Sequence, residues 1–304
     1  MSHQITRDEL LKWCSVPAAE LGGHPERRVP LRIVADRAEM GEVMARELVD
    51  AVKTGNAEGR VTRAILPCGP TCWYEPFCRT VNTERVRLGN LVVFHMDECL
   101  DWQGRLLPKG HPYNFRAFME EHFYAPVDAE LRTPEGSRVW LTPARIGEMK
   151  DRIAEAPVDI TLGGWGQDGH VAYNQARRNP YSQLTLDQLR SSSIRVQDNN
   201  PDTVIALAQR TFGSAYQLVP PMSVTLGVAE CLSAKKVRVF SDTGAWKQTA
   251  LRVALFSPPT VEYPMTLLSE HPDAMLTATR ETAEHPVAQH PEWDFTGESG
   301  YFEE

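Results

Sequence analysis

Four short stretches of this chain hold residue types able to move a proton or to hold an anion. Met96-Asp97-Glu98 carries adjacent carboxylates, and Gly166-Gln167-Asp168-Gly169-His170 sets a carboxylate and an imidazole two positions apart. Such a pair is a candidate acid/base unit, because an imidazole gives and recovers a proton near neutrality at low cost. Pro67-Cys68-Gly69-Pro70-Thr71 brings a hydroxyl and backbone N–H groups to a predicted helix N-terminus, where the helix dipole favours an anion. Ser241-Asp242-Thr243-Gly244-Ala245-Trp246-Lys247 ends on an amine that can close an anion site from the same edge. Each stretch also has an ordinary reading: a glycine-rich turn, a Pro-Gly turn, a helix cap, a solvated charge. Gly164, Gly166 and Gly169 match G-x-G-x-x-G, but a dinucleotide site needs a helix and a second strand to follow, and here Pro180 and a polar tract follow instead.

The elements that must position these residues alternate. Strands are expected at 31–35, 60–66, 91–95, 139–141, 158–162, 236–240 and 274–277, from short apolar runs bounded by turn residues. Between them run helical patterns. One is capped by Asp36, carries Met40, Val43, Met44, Leu48 and Val52 at helical spacing and stops at Gly55; others reach about 81 and cover 143–156. Phe115, Phe118, Met119 and Phe123 form a packing stripe rather than a cofactor box. This rhythm predicts an α/β fold with a mostly parallel sheet covered on both faces, and in such sheets ligands bind where strands end. Residues 1–30 read as an N-terminal arm with one short helix near 7–13. Residues 176–217 read as a polar lid insertion collecting Arg177, Arg178, Arg190, Arg195 and Arg210. Pro220 and Pro221 are expected to open an apolar helix over 224–232, and 285–304 to form an acidic C-terminal tail.

The chain has 304 residues, 42% of them hydrophobic, enough for one large domain or two small ones. A formal charge of −8 argues against a nucleic-acid partner gripped through its backbone. No apolar run is of membrane-spanning length and no secretory signal opens the chain, so a soluble, cytoplasmic protein without a membrane partner is expected. Its 6 cysteines show no metal-binding or C-x-x-C spacing, which favours free thiols and no structural metal.

Taken in order, the four stretches resemble the glucosamine-6-phosphate deaminase and isomerase family, which is related to 6-phosphogluconolactonase. The likeness runs from about 31 to 284 and is most specific from Gly166 to Asn174. Val219-Pro220-Pro221-Met222-Ser223-Val224-Thr225-Leu226-Gly227 also resembles the family's segment after the lid. The resemblance implies a modified Rossmann-like three-layer sandwich, a small-molecule phosphosugar substrate and no cofactor or metal; a homo-oligomer is left open. It implies a phosphate held by Gly69, Pro70, Thr71, Arg210 and Lys247, a general base at Asp97, and ring opening by His170 with Asp168 beside it. Two positions depart from the family pattern. Gln175 stands where the deaminases carry the glutamate that partners the histidine, and a neutral amide does not favour a charged imidazole, which weakens the case for deamination. Pro70 removes one N–H from the anion loop. Three readings stay open: a deaminase or aldose–ketose isomerase on an amino or related hexose 6-phosphate, a sugar-lactone hydrolase, and a non-catalytic sugar-phosphate sensor.

Overall fold

The structure, a computed structural model, describes residues 2–176, 181 and 183–295. Arg177, Arg178, Pro180 and residues 296–304 of the acidic tail lie outside them. Ten strands are defined among the described residues: β1 Leu31–Val34, β2 Thr62–Leu66, β3 Leu91–His95, β4 Asp97–Leu100, β5 Arg138–Val139, β6 Ile160–Gly164, β7 Arg195–Asp198, β8 Met222–Thr225, β9 Lys236–Ser241 and β10 Ala274–Thr279. Seven pair in parallel in the order β1-β10-β9-β6-β2-β3-β5, and β4, β8 and β7 form a small antiparallel sheet.

Strand alternation explains why the large sheet is covered twice. Ile65 and Phe94 join one apolar cluster, whereas their neighbours Ala64, Leu66 and Val93 join another, as side chains that point to opposite faces must. The helix Arg37–Ala57 begins as the sequence suggests, with Asp36 accepting from the N–H groups of Ala38 and Glu39 at 2.8 and 3.0 Å. It runs past Gly55, which is buried against β2: a Cβ there would lie 2.1 Å from the Thr62 hydroxyl. The N-terminal segment is part of the body, since Trp13, Leu21 and Val29 are all buried in the first cluster. Each contributes about 2 kcal/mol of burial. No helix among the described residues is long and apolar enough to cross a membrane, and all six cysteines are free thiols.

One expectation fails outright. Residues 222–225, expected inside a helix, form β8, which pairs with β4 on one side and β7 on the other, and only Val228–Cys231 is helical. The buried run Ser223, Val224, Thr225 is rich in β-branched residues, and two neighbouring strands satisfy its backbone on both sides. Likewise the polar stretch after 176 is not a loose excursion. It supplies β7 and the helix Pro201–Thr211.

Candidate active site

The carboxyl ends of β2, β3, β6 and β9 meet at a cleft of about 260 Å³, a size suited to a small ligand rather than a dinucleotide. The chain after β6 turns immediately instead of opening a helix, which removes the dinucleotide reading of its glycines. Gly69, Pro70 and Thr71 line the cleft at the end of β2, ahead of the helix Tyr74–Glu84. Lys247 enters from beyond β9, at the junction of a 3-10 turn, Gly244–Lys247, with the helix Gln248–Phe256. Burial, and next the charge of Arg210, push the Lys247 amine down to about 8. Arg37, which no sequence pattern singles out, completes this cationic pole. Its guanidinium donates to the Thr71 hydroxyl at 3.3 Å and pairs with Asp242 at 2.9 Å.

The same cleft also holds groups able to take and give a proton. Asp97 is the first residue of β4, half-buried and facing the cleft, while its neighbour Glu98 points away as a helix cap. The Glu98 carboxylate accepts from the N–H groups of Phe115 and Arg116, both at 2.8 Å. Burial, then the adjacent Glu98 charge, raise the Asp97 carboxyl to about 7. A carboxyl near that value can both take and return a proton at neutral pH.

His170 lines the same cleft, and its Nδ1 lies 2.6 Å from Oδ1 of Asp168. Burial opposes the charge on Asp168, but the imidazole beside it prevails and holds the carboxyl below its ordinary value. This pairing orients the ring in the way a supporting carboxylate does in other acid/base pairs. Two glycines make the geometry attainable. A Cβ at Gly166 would lie 2.1 Å from the His170 ring, and Gly169 sits at φ +70°, in the left-handed region. The Tyr173 ring stacks behind His170, with centroids 5.8 Å apart and planes 15° from parallel.

A third wall comes from the helix Pro201–Thr211, whose Thr203, Ala206, Leu207 and Arg210 face the cleft at helical spacing. Gln175 ties this helix down. Its amide nitrogen donates to the Thr203 hydroxyl at 2.6 Å and its carbonyl accepts from the Asn200 N–H at 3.0 Å. Gln175 is therefore not in the cleft wall beside His170 but at the start of the helix Pro201–Thr211. Arg195, expected as a lid cation, bonds the Asn174 side chain at 3.0 Å, and Arg190 pairs with Asp187 and Glu270. Of the residues the sequence singled out, Asp97, His170, Gly69, Pro70, Thr71, Arg210 and Lys247 share one cleft. Asp168 stands behind His170, and Gln175 acts on the helix.

The sequence also missed Trp165 and Gln167. Both line the cleft, and each buries a side-chain N–H without a partner, Nε1 and Nε2 respectively. The helix Pro201–Thr211 did carry a signal: Asn200-Pro201-Asp202 is a cap, a proline in the first turn and an acid in the first turn.

No family model matches the chain. It is 30% identical over 206 residues to a glucosamine-6-phosphate deaminase of Phocaeicola vulgatus, covering 66% of this chain and 72% of the relative. It is 28% identical over 259 residues to the enzyme of that name from Aeromonas hydrophila, covering 82% and 89%. Among solved structures, a monomeric glucosamine-6-phosphate deaminase superposes with a TM-score of 0.70 at 22% identity, over 83% of this chain and 98% of the other.

Proposed function

The chain belongs to the glucosamine-6-phosphate deaminase family, and from that premise we propose that it binds an amino or related hexose 6-phosphate, opens the ring and moves a proton between C1 and C2. The phosphoryl group lies at the cationic pole, where Thr71, Arg210 and Lys247, with Arg37 behind Thr71, supply a hydroxyl, fork-shaped donors and a point charge. That anchor sets the first two sugar carbons toward Asp97, the general base, while His170, oriented by Asp168, protonates the ring oxygen. Trp165 and Gln167 offer their unpartnered N–H groups to the sugar hydroxyls. The observation that carries this reading is that Asp97 and His170 line the same cleft as Thr71, Arg210 and Lys247.

The position of Gln175 sharpens the chemistry. With its amide engaged by Thr203 and Asn200, it leaves Asp168 as the carboxylate bonded to His170. The purified chain should convert glucosamine 6-phosphate and one water to fructose 6-phosphate and ammonia, the water supplying the C2 oxygen as the C2–N bond breaks after the proton transfer. Failure on that sugar alongside isomerisation of a neutral hexose 6-phosphate moves the chemistry to plain aldose–ketose exchange. Hydrolysis of a 6-phosphogluconolactone alone, with no isomerisation, overturns the proposal.

A further inference from the structure

A second cavity, about 680 Å³, opens beside the edge strand β5, lined by a different set of residues. In a chain of net charge −8 its lining is strongly cationic: Lys109, Arg116, Arg138, Arg145 and Arg152 against Glu120 and Glu135. Two of the cations are already engaged. Arg138 bonds the Thr133 carbonyl through Nε and Nη2 at 3.1 and 2.8 Å and pairs with Glu120 at 2.7 Å, and Arg145 pairs with Glu148 at 2.5 Å. Among the described residues, Lys109, Arg116 and Arg152 have no carboxylate within salt-bridge distance.

The surroundings register this positive charge. Arg116 lies 5.3 Å over the Trp140 ring, which in turn stacks on His95 at 3.5 Å with planes 6° apart. His95 is buried, and after burial the fields of Arg116 and Arg138 are what hold it well below its ordinary value. Because Arg116 covers Trp140, which is itself only 7% exposed, the cavity offers no free aromatic face for a nucleobase. Its recognition chemistry is charge and fork-shaped donors, which suit phosphoryl oxygens.

We propose that this edge cavity is a second anion site, which takes a small polyanion bearing phosphoryl groups through Arg116, Arg152 and Lys109. It is joined to the central cleft by one short connection. The Glu98 carboxylate that caps the turn carrying Arg116 also accepts from Phe115, and Phe115 lines the central cleft next to Asp97. A ligand that draws on Arg116 therefore pulls on a residue touching the first cleft.

The test is calorimetry with inorganic pyrophosphate on the full chain carrying Lys247→Ala and Arg210→Ala, which strips the central cleft of two cations. Binding of one equivalent should persist, and adding Arg116→Gln with Arg152→Gln should weaken it at least about tenfold at low salt. Both arginines lie at the surface of the cavity, and an unchanged Tm without ligand shows that the fold survives. Loss of binding in the Lys247→Ala, Arg210→Ala chain, or binding untouched by the two further substitutions, overturns the site. The readout is binding in a chain with a disabled central cleft, so it stands or falls apart from the turnover assay.

Discussion

The two walls of the central cleft are made in different ways. One is the rim of the parallel sheet, where Gly69 to Thr71 and Lys247 follow directly from β2 and β9. The other is the small antiparallel sheet with the helix Pro201–Thr211, where Asp97 is held because β4 pairs with β8 and Asp97 faces Thr225 in register. The rim is built by segments that each fold onto their own strand. The second wall exists only when residues far apart in sequence meet, and it ends on the Gln175 bonds that fix the helix Pro201–Thr211. Asp97 and Arg210 thus belong to the assembled wall, whereas Thr71, Lys247 and, on the turn after β6, His170 belong to the locally specified rim.

Substitutions should separate the walls. Asp97→Asn should lower kcat by about a thousandfold and leave KM nearly unchanged, since it removes a base and not the grip. The same change should raise Tm at pH 8 by a degree or two, about what a fraction of a kcal/mol produces. The sign follows from the raised folded value of about 7: below the unfolded value both states carry the neutral acid, whereas above 7 the folded state holds a charge that burial penalises. At pH 4 the gain should vanish. A normal kcat in the Asp97→Asn chain would move the base elsewhere.

Lys247→Ala should instead act on binding, raising KM by roughly a hundredfold, the scale of a lost charge-assisted contact. An equal fall in kcat would place the lysine at the reacting carbons. The two walls also set the pH profile of kcat/KM. It should rise through about 7 as Asp97 ionises and fall through about 8 as Lys247 loses its proton. Lys247→Arg should carry the alkaline limb upward and leave the acid limb in place. The smallest effect is expected from the Gln175 tether. Gln175→Leu leaves the Asn200 N–H and the Thr203 hydroxyl without partners and should raise KM severalfold, at a cost of about 1 to 2 kcal/mol. Gln175→Glu, which keeps an acceptor for both, should lie nearer the parent chain.

The same division explains what could be read without coordinates. Parallel strands buried on both faces write themselves as apolar runs, so β1, β2, β3, β6, β9 and β10 were legible to within a few residues, and with them Thr71, Asp97, His170 and Lys247 at their exits. β8 was not, because Met222 to Thr225 is a strand only through partners more than a hundred residues upstream and about thirty away on the other side. Arg37 was missed for a related reason: it opens the helix Arg37–Ala57 after the edge strand β1, and only the packing of that helix against the helix Tyr74–Glu84 brings it to Thr71. That Gln175 departs from a pattern was legible, but its role was not, because its partners Asn200 and Thr203 cap and open a helix hidden inside a polar stretch.

The buried guanidinium of Arg252 donates to the carbonyls of Val16, Ala283 and Glu284 at 3.1, 2.9 and 3.3 Å, and the Arg28 N–H donates to the Leu255 carbonyl at 2.8 Å. Residues 1–30 are made well before the residues near 252 and 284 that they clasp. During translation that stretch, with Trp13 and Leu21 still uncovered, has to wait for the segment that carries Arg252 and Ala283 before it can dock. The span between its synthesis and its docking is when the nascent chain most needs shielding from its neighbours.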